Sequence, residues 1–291
     1  MNSVSRFLQK QKDPEKYKSD RFLRKAGAIR FPGLPADEKA EIHFKHSGNC
    51  GDIIYAIPAM LAIAKGRPVH LHLNINQPGN YGRNKHPLGN VMLNEKMAEM
   101  LRPLLLSQAG VKTCDTWSGQ EIDVDLDYIR KYPFMLNRGN IARWYFLVFG
   151  VFFDLSQPWL DVSHGTGLEK TIIVARSQRY HAPGIRYDFL NAYDDVRFVG
   201  IEAEYEDIRK QVSNIRYCPV NNFLELARII AGSGLFIGNQ SFPFSIAEAI
   251  KANRLLEWYF QTPNVNVQGP GGFDFCFQEN FERLVRERYN K

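Results

Sequence analysis

The chain has 291 residues, 44% hydrophobic and 23% charged. That is the balance of a globular protein long enough for two domains of about 100–150 residues rather than one oversized core. Its net charge of +6 is carried by residues 1–30, where Arg6, Lys10, Lys12, Lys16, Lys18, Arg21, Arg24, Lys25 and Arg30 face only Asp13, Glu15 and Asp20. Residues 31–291 are neutral overall, which argues against a nucleic-acid binder.

No apolar run has the length of a membrane span and no signal peptide is read at the start, so a cytoplasmic protein is expected. Cys50, Cys114, Cys218 and Cys276 are dispersed without a CxxC pair. That pattern suits reduced thiols and offers no cysteine zinc site.

Residues 1–40 form a basic leader. It offers positive charge to anionic lipid headgroups, a peripheral contact with the inner face of a membrane. Its apolar side chains Val4, Phe7, Leu8, Phe22 and Leu23 are scattered, so a solvated tail is the plainer reading.

Ile42 and Phe44 alternate in a strand ending near His46. From Asp52, a good helix N-cap, Ile53, Ile54, Ile57, Met60, Leu61 and Ala64 follow helical spacing. Val69, Leu71, Leu73 and Ile75 alternate in a second strand. Residues 76–90, rich in Asn, Gly and Pro, read as a long loop. A helix is predicted over Asn94–Gln108, a strand over Ile122–Leu126, and an aromatic helix over 140–153. A linker follows at 154–169.

In the second half, strands are predicted at Thr171–Ala175, Val196–Val199, Ile215–Cys218, Leu235–Gly238 and Leu255–Tyr259. Helices at Glu204–Val212, Phe223–Ala231 and Pro243–Ala252 separate them, and a final helix runs from Gln278 to Tyr289. Strands alternating with helices call for parallel sheets with right-handed crossovers. The expected architecture is α/β: a first Rossmann-like domain over 41–160, a second over 161–277, and a terminal helix over 278–291.

Two segments carry the functional signal. Leu235, Phe236 and Ile237 break into Gly238-Asn239-Gln240-Ser241, after which Pro243 suits the first turn of a helix. Ser47-Gly48-Asn49-Cys50-Gly51-Asp52 repeats the arrangement after an earlier strand. At the C-terminal end of a parallel strand, free N–H groups and the helix dipole attract anions. Two such loops suggest a ligand held between two domains.

Gly51-Asp52-Ile53-Ile54-Tyr55-Ala56-Ile57-Pro58-Ala59-Met60-Leu61 resembles the opening loop and helix of the heptosyltransferase-like glycosyltransferases. Leu226–Ser241 resembles their second signature, a helix and strand leading into the donor loop. The order and separation of the signatures match, over residues 41–291. The resemblance implies a GT-B fold whose two Rossmann-like domains face a central cleft. It also implies a nucleotide-sugar held mainly by the second domain, an acceptor held mainly by the first, and an inverting, metal-independent transfer with no cofactor. In one respect the chain departs from the family. The usual donor loop reads Asp-Ser-Gly-Pro-Met-His, whereas Asn239-Gln240-Ser241-Phe242-Pro243-Phe244-Ser245 stands here, so ADP-heptose is only one possible donor.

By that similarity Asp52 is the catalytic base, taking the acceptor's hydroxyl proton; capping its helix is the alternative role, and the two are compatible. Departure of a nucleoside diphosphate requires positive charge or oriented N–H groups. Arg176 and Arg179, in a loop that includes Tyr180, are suited to bind phosphate bidentately, against the plainer reading of surface arginines. Gly51, Asn239, Gln240, Ser241 and Ser245 complete the donor pocket. Glu248 shares a helix face with Ser245 and is placed to accept bonds from ribose hydroxyls, unless it is simply a solvated acid.

His70 and His72 share a strand face at metal-ligand spacing, but no third ligand is near in sequence, so sheet histidines are the better reading. Asp123, Asp125 and Asp127 alternate likewise and read as an exposed face. No GxGxxG follows a strand, which disfavours a dinucleotide site. The aromatic helix reads as core, although Arg143, Trp144 and Tyr145 are placed to line the acceptor side. The reading is therefore a glycosyltransferase acting on a glycan or glycolipid. The alternatives are a degenerate nucleotide-sugar-binding module and a nucleotide-sugar epimerase on the same fold.

Overall fold

The computed structural model describes residues 3–36, 38–79, 81, 89–132 and 134–289. Much of the loop expected at 76–90 lies outside them. The leader is not a loose tail. Helix α1 (Ser3–Lys12) and α2 (Pro14–Ala26) pack on each other, with Asp13 capping α2 and Pro14 in its first turn. Neither helix buries a side chain. Residues 30–36 then bind the first lobe: Tyr132 Oη donates to the carbonyl of Arg30 (2.7 Å) and Arg67 to that of Ala36 (3.1 Å).

The first lobe holds a parallel sheet of β1 (Ile42–His46), β2 (Val69–Leu73), β3 (Val111–Thr116) and β4 (Val124–Asp125), in the order β3-β2-β1-β4. Strand β3 was not predicted. The expected strand at 122–126 shrinks to two residues, because Leu126–Arg130 turns into a 3₁₀ segment.

Ile42, Phe44, Val69, Leu71, Leu73 and Cys114 point to one face, as alternation dictates. That face joins α3 (Cys50–Ala64), α4 (Glu95–Leu106) and α5 (Ile141–Phe149) in a common apolar core. The opposite face carries His43, Lys45, His70, His72, Thr113 and Asp115, set side by side by the register.

The second lobe is a six-stranded parallel sheet. Its strands are β5 (Ile172–Ala175), β6 (Val196–Phe198), β7 (Arg216–Tyr217), β8 (Leu235–Asn239), β9 (Arg254–Glu257) and β10 (Gly272–Phe275), ordered β10-β9-β8-β5-β6-β7. Strand β10 also escaped the sequence reading; short and only partly buried, it lacks the apolar run of its neighbours.

Both faces of this sheet are apolar. Ile173 and Phe236 join the core shared with α7 (Phe223–Gly232) and α8 (Phe242–Ala249). Ile172, Val174 and Ile237 join a second core with α6 (Glu202–Arg209) and α9 (Gln278–Tyr289). The terminal helix is thus part of the second lobe.

Helices α3 and α4 pack on α8 and α7, so one core runs from sheet to sheet. Trp159 in the connecting segment ties the lobes together. Its ring N–H donates to Ile54 of α3 (3.1 Å) and its amide to Ala249 of α8 (2.9 Å).

Candidate active site

Strand β1 delivers His46, fully buried, into a local network. The amide of Gly48 donates to His46 Nδ1 (2.8 Å), so the ring proton sits on Nε2, 2.7 Å from Tyr145 Oη. Burial, reinforced by the nearby Arg130 charge, pushes this imidazole down to about 4 and keeps it neutral. A Cβ on Gly48 would lie 2.3 Å from an Arg130 nitrogen and 2.8 Å from Asp52 Oδ2, so only glycine leaves that contact intact.

Asn49 caps α3, and Asp52 sits three residues on rather than at the cap itself. Its Oδ2 accepts from the amide of Asn49 (3.2 Å) and from Arg130 (3.1 Å). Arg130 also bonds Asp127 (2.5 Å), which holds the amide and hydroxyl of Ser47 (3.0 and 2.6 Å). One guanidinium thus bridges two carboxylates at the mouth of the strand-to-helix loop. Asp52 keeps 23% side-chain exposure.

The matching loop follows β8. Ser241 stands at the N-cap position of α8, its hydroxyl donating to the carbonyl of Asn239 (3.2 Å), and Ser245, buried in the first turn, bonds the carbonyl of Phe242 (2.6 Å). An atom added at Gly51 would stand 3.8 Å from Ser245 Oγ and 3.9 Å from Phe242 Cα. The N-termini of α3 and α8 therefore abut, each at the C-terminal end of a parallel strand. Gly51, Asp52, Ser241 and Ser245 come together in three dimensions.

The β5 loop divides the two predicted arginines. Arg179 is half-exposed, with its guanidinium 5.8 Å from the Tyr81 ring and 5.2 Å from that of Tyr180. Tyr81 belongs to the first lobe and donates to Asn49 Oδ1 (2.7 Å), beside Asp52. Tyr180 has φ +58°, a strained backbone for a non-glycine residue, and faces Tyr259.

Arg176 corrects the clamp assignment. It makes a two-pronged pair with the wholly buried Glu257 (2.7 and 2.8 Å) and stacks on Tyr187. Glu257 also accepts from Ala182 and Tyr187, so this network is internal.

Glu248 is likewise corrected. It is buried, and its two oxygens are held by Arg254 (2.6 Å), Lys251 (2.7 Å) and the amide of Gln268 (3.0 Å). A carboxylate with its acceptor sites so engaged is not placed for ribose hydroxyls. Asn239 and Gln240 are buried too and act on loops. Asn239 holds Ser177 and the carbonyl of Arg179, while Gln240 holds residues 259–264.

Sequence reasoning missed Arg130, His46 and Tyr81, and read Asp127 only as part of an exposed strand face. Arg130 lies 78 residues from Asp52 and carries no local signature; only the chain reversal after β4 brings it in. The three alternating aspartates also resolve differently. Asp123 pairs with Lys39 and Asp125 with Lys45, while Asp127 has left the strand. Nor are His70 and His72 without neighbours, because β1 brings His43 and Glu41 alongside them. An apolar cavity of about 300 Å³, lined by Ile57, Met60, Leu71, Leu105 and Trp159, opens at the N-terminal ends of β2 and β3, away from Asp52.

No protein-family profile and no curated protein matches the chain by sequence. Solved structures do match by shape. E. coli heptosyltransferase WaaC, with ADP-2-deoxy-2-fluoro heptose, superposes at a TM-score of 0.55 and 9% identity, covering 85% of this chain and 99% of that one. A glycosyl transferase family 9 protein from Veillonella parvula DSM 2008 gives 0.56 at 12% identity, over 85% and 88%. The bacterial iron-containing dodecameric glycosyltransferase TibC, from enterotoxigenic E. coli, gives 0.52 at 11%, over 82% and 63%. The fold is GT-B. Among the described residues no helix is long and apolar enough to cross a membrane.

Proposed function

We propose that this GT-B chain is a glycosyltransferase moving a sugar from a nucleotide-sugar to a glycan or glycolipid acceptor, with inversion and without a metal ion in the cleft. The observation carrying this reading is the abutment of the two helix N-termini, with an acid on one side and the first turn of α8 on the other. Structural kinship to WaaC, whose structure holds an ADP-heptose analogue, favours a nucleotide-sugar over other anions.

In the proposed reaction Asp52 Oδ1, which neither the Asn49 nor the Arg130 bond uses, takes the proton of the acceptor hydroxyl. That oxygen attacks the anomeric carbon as the bond to the diphosphate breaks. Arg130 and the Asn49 amide hold the carboxylate in place. Charge accumulating on the leaving diphosphate meets Arg179 and the N–H groups of Phe242 and Phe244, which aligned peptide dipoles reinforce. The apolar side chains Val4, Phe7 and Leu8, exposed on α1 beside basic residues, support contact with a lipid-borne acceptor.

One observation favours a second reading, a nucleotide-sugar-binding module. Arg176 and Glu248, both expected in the donor pocket, are consumed by internal ion pairs. A thermal-shift screen of the full chain with ADP-, UDP-, GDP- and CMP-linked sugars, followed by assay of sugar release, separates the readings. The enzyme predicts one carrier that raises the melting temperature and is turned over, with Asp52→Asn keeping the shift and losing at least 100-fold in rate. A shift without turnover favours the module. No shift with any carrier refutes both.

A further inference from the structure

We propose that Glu41, His43 and His70 form a binding site for a divalent transition-metal ion of the zinc type. The site lies on the polar face of the first-lobe sheet, apart from the cleft. One donor atom from each of the three side chains lies within 4.8 Å of the others. Backbone geometry creates the arrangement. Glu41 directly precedes β1, two residues before His43, and the parallel register sets His70 directly beside His43. The two imidazoles stack, with centroids 4.4 Å apart and planes within 7°.

The surroundings are those of a ligated histidine pair. A metal-bound histidine ordinarily engages its other ring nitrogen in a hydrogen bond that fixes tautomer and orientation. Here His43 Nδ1 is held by His72 Nε2 (3.0 Å) and His70 Nδ1 by Thr113 Oγ1 (3.0 Å). These bonds leave Nε2 as the ligand atom of each ring; that of His70 is hydrogen-bonded to Glu41 Oε2 (2.9 Å), where an ion would take the place of the shared proton. Lys112 engages the other Glu41 oxygen and leaves Oε2 to the histidine.

Zinc binds imidazole nitrogen and carboxylate oxygen at about 2.0–2.2 Å, so tetrahedral donors stand roughly 3.3 Å apart. Closing the widest possible spacing here requires a movement of about 1.5 Å, and because the imidazole lone pairs lie in near-parallel ring planes, one ring must also turn about its χ2 torsion for both to point at one ion. Three protein ligands leave one position for water. Of the neighbouring lysines, Lys39 and Lys45 are paired with Asp123 and Asp125, while Lys112 pairs with Glu41 itself and competes with an incoming ion for that carboxylate. A bound ion would staple the start of β1 to β2 on the face that lacks an apolar cover.

The test uses the full chain, without a histidine tag and stripped with a chelator, titrated with Co²⁺ as a visible stand-in for Zn²⁺. One equivalent is expected to bind, to give a d–d absorption band, and to be displaced by Zn²⁺. His70→Ala and Glu41→Gln should each weaken binding at least tenfold while circular dichroism stays unchanged. Glu41 is partly exposed, so its variant reports even if His70→Ala fails to fold. His72→Ala, which touches only the outer bond, should weaken binding about tenfold, and His164→Ala should bind as the parent does. No cobalt band from the parent at millimolar Co²⁺, or undiminished binding by folded Glu41→Gln, would overturn the proposal.

Discussion

Acidification tests the His46 network most directly. In the folded protein the Gly48 amide points at Nδ1, so a second ring proton would set N–H against N–H inside the core. Burial, helped by Arg130 and opposed by Asp127, holds the folded imidazole at about 4, against 6.5 when unfolded. Because the folded value is the lower one, the unfolded chain binds the extra proton first. Stability is complete above pH 6.5 and declines as pH falls from there through 4.

At pH 4.5 most of the difference is already lost, about 2–3 kcal/mol out of a limit of about 3–4. Urea unfolding at pH 7.5 and 4.5, at constant ionic strength, measures it. The parent should lose about 2–3 kcal/mol more than His46→Gln, which keeps an acceptor for Gly48 but has no proton to gain. Equal losses in the two proteins, or a His46 NMR titration midpoint near 6.5, would refute the reasoning.

Arg176→Ala strands the buried Glu257 carboxylate and should cost about 3–5 kcal/mol in chemical denaturation, whereas Arg179→Ala should leave stability within about 0.5 kcal/mol and reduce donor binding in the thermal-shift screen. Gly48→Ala forces Arg130 off Asp52 and is expected to abolish sugar release. Gly51→Ala meets only ordinary contacts at 3.8 Å and should leave stability within about 0.5 kcal/mol, whereas Gly48→Ala should lower it; equal stability of the two would contradict the packing described. Cys50, whose thiol burial pushes up to about 12, should resist a thiol reagent at pH 8 in the folded protein and react in urea.

Hydrophobic periodicity and turn chemistry, which are local, determined the alternation of strands and helices, both strand-to-helix loops and the placement of Asp52, Ser241 and Arg179 beside them. Elements with weak periodicity escaped: β3, with exposed residues between its apolar ones, and β10, anchored mainly by Phe275. What no local pattern encodes is the partner of each charge. Arg176 and Glu248 sit where the sequence reading expects phosphate- and ribose-binding groups along the chain. Only folding shows that Glu257 and Arg254, from β9, have already claimed them, since a buried ion must find its counter-ion wherever the sheet delivers one. Arg130 reached Asp52, and Glu41 with His43 reached His70, through strand register and chain reversal. Those contacts span 27 to 78 residues, and tertiary structure alone decides them.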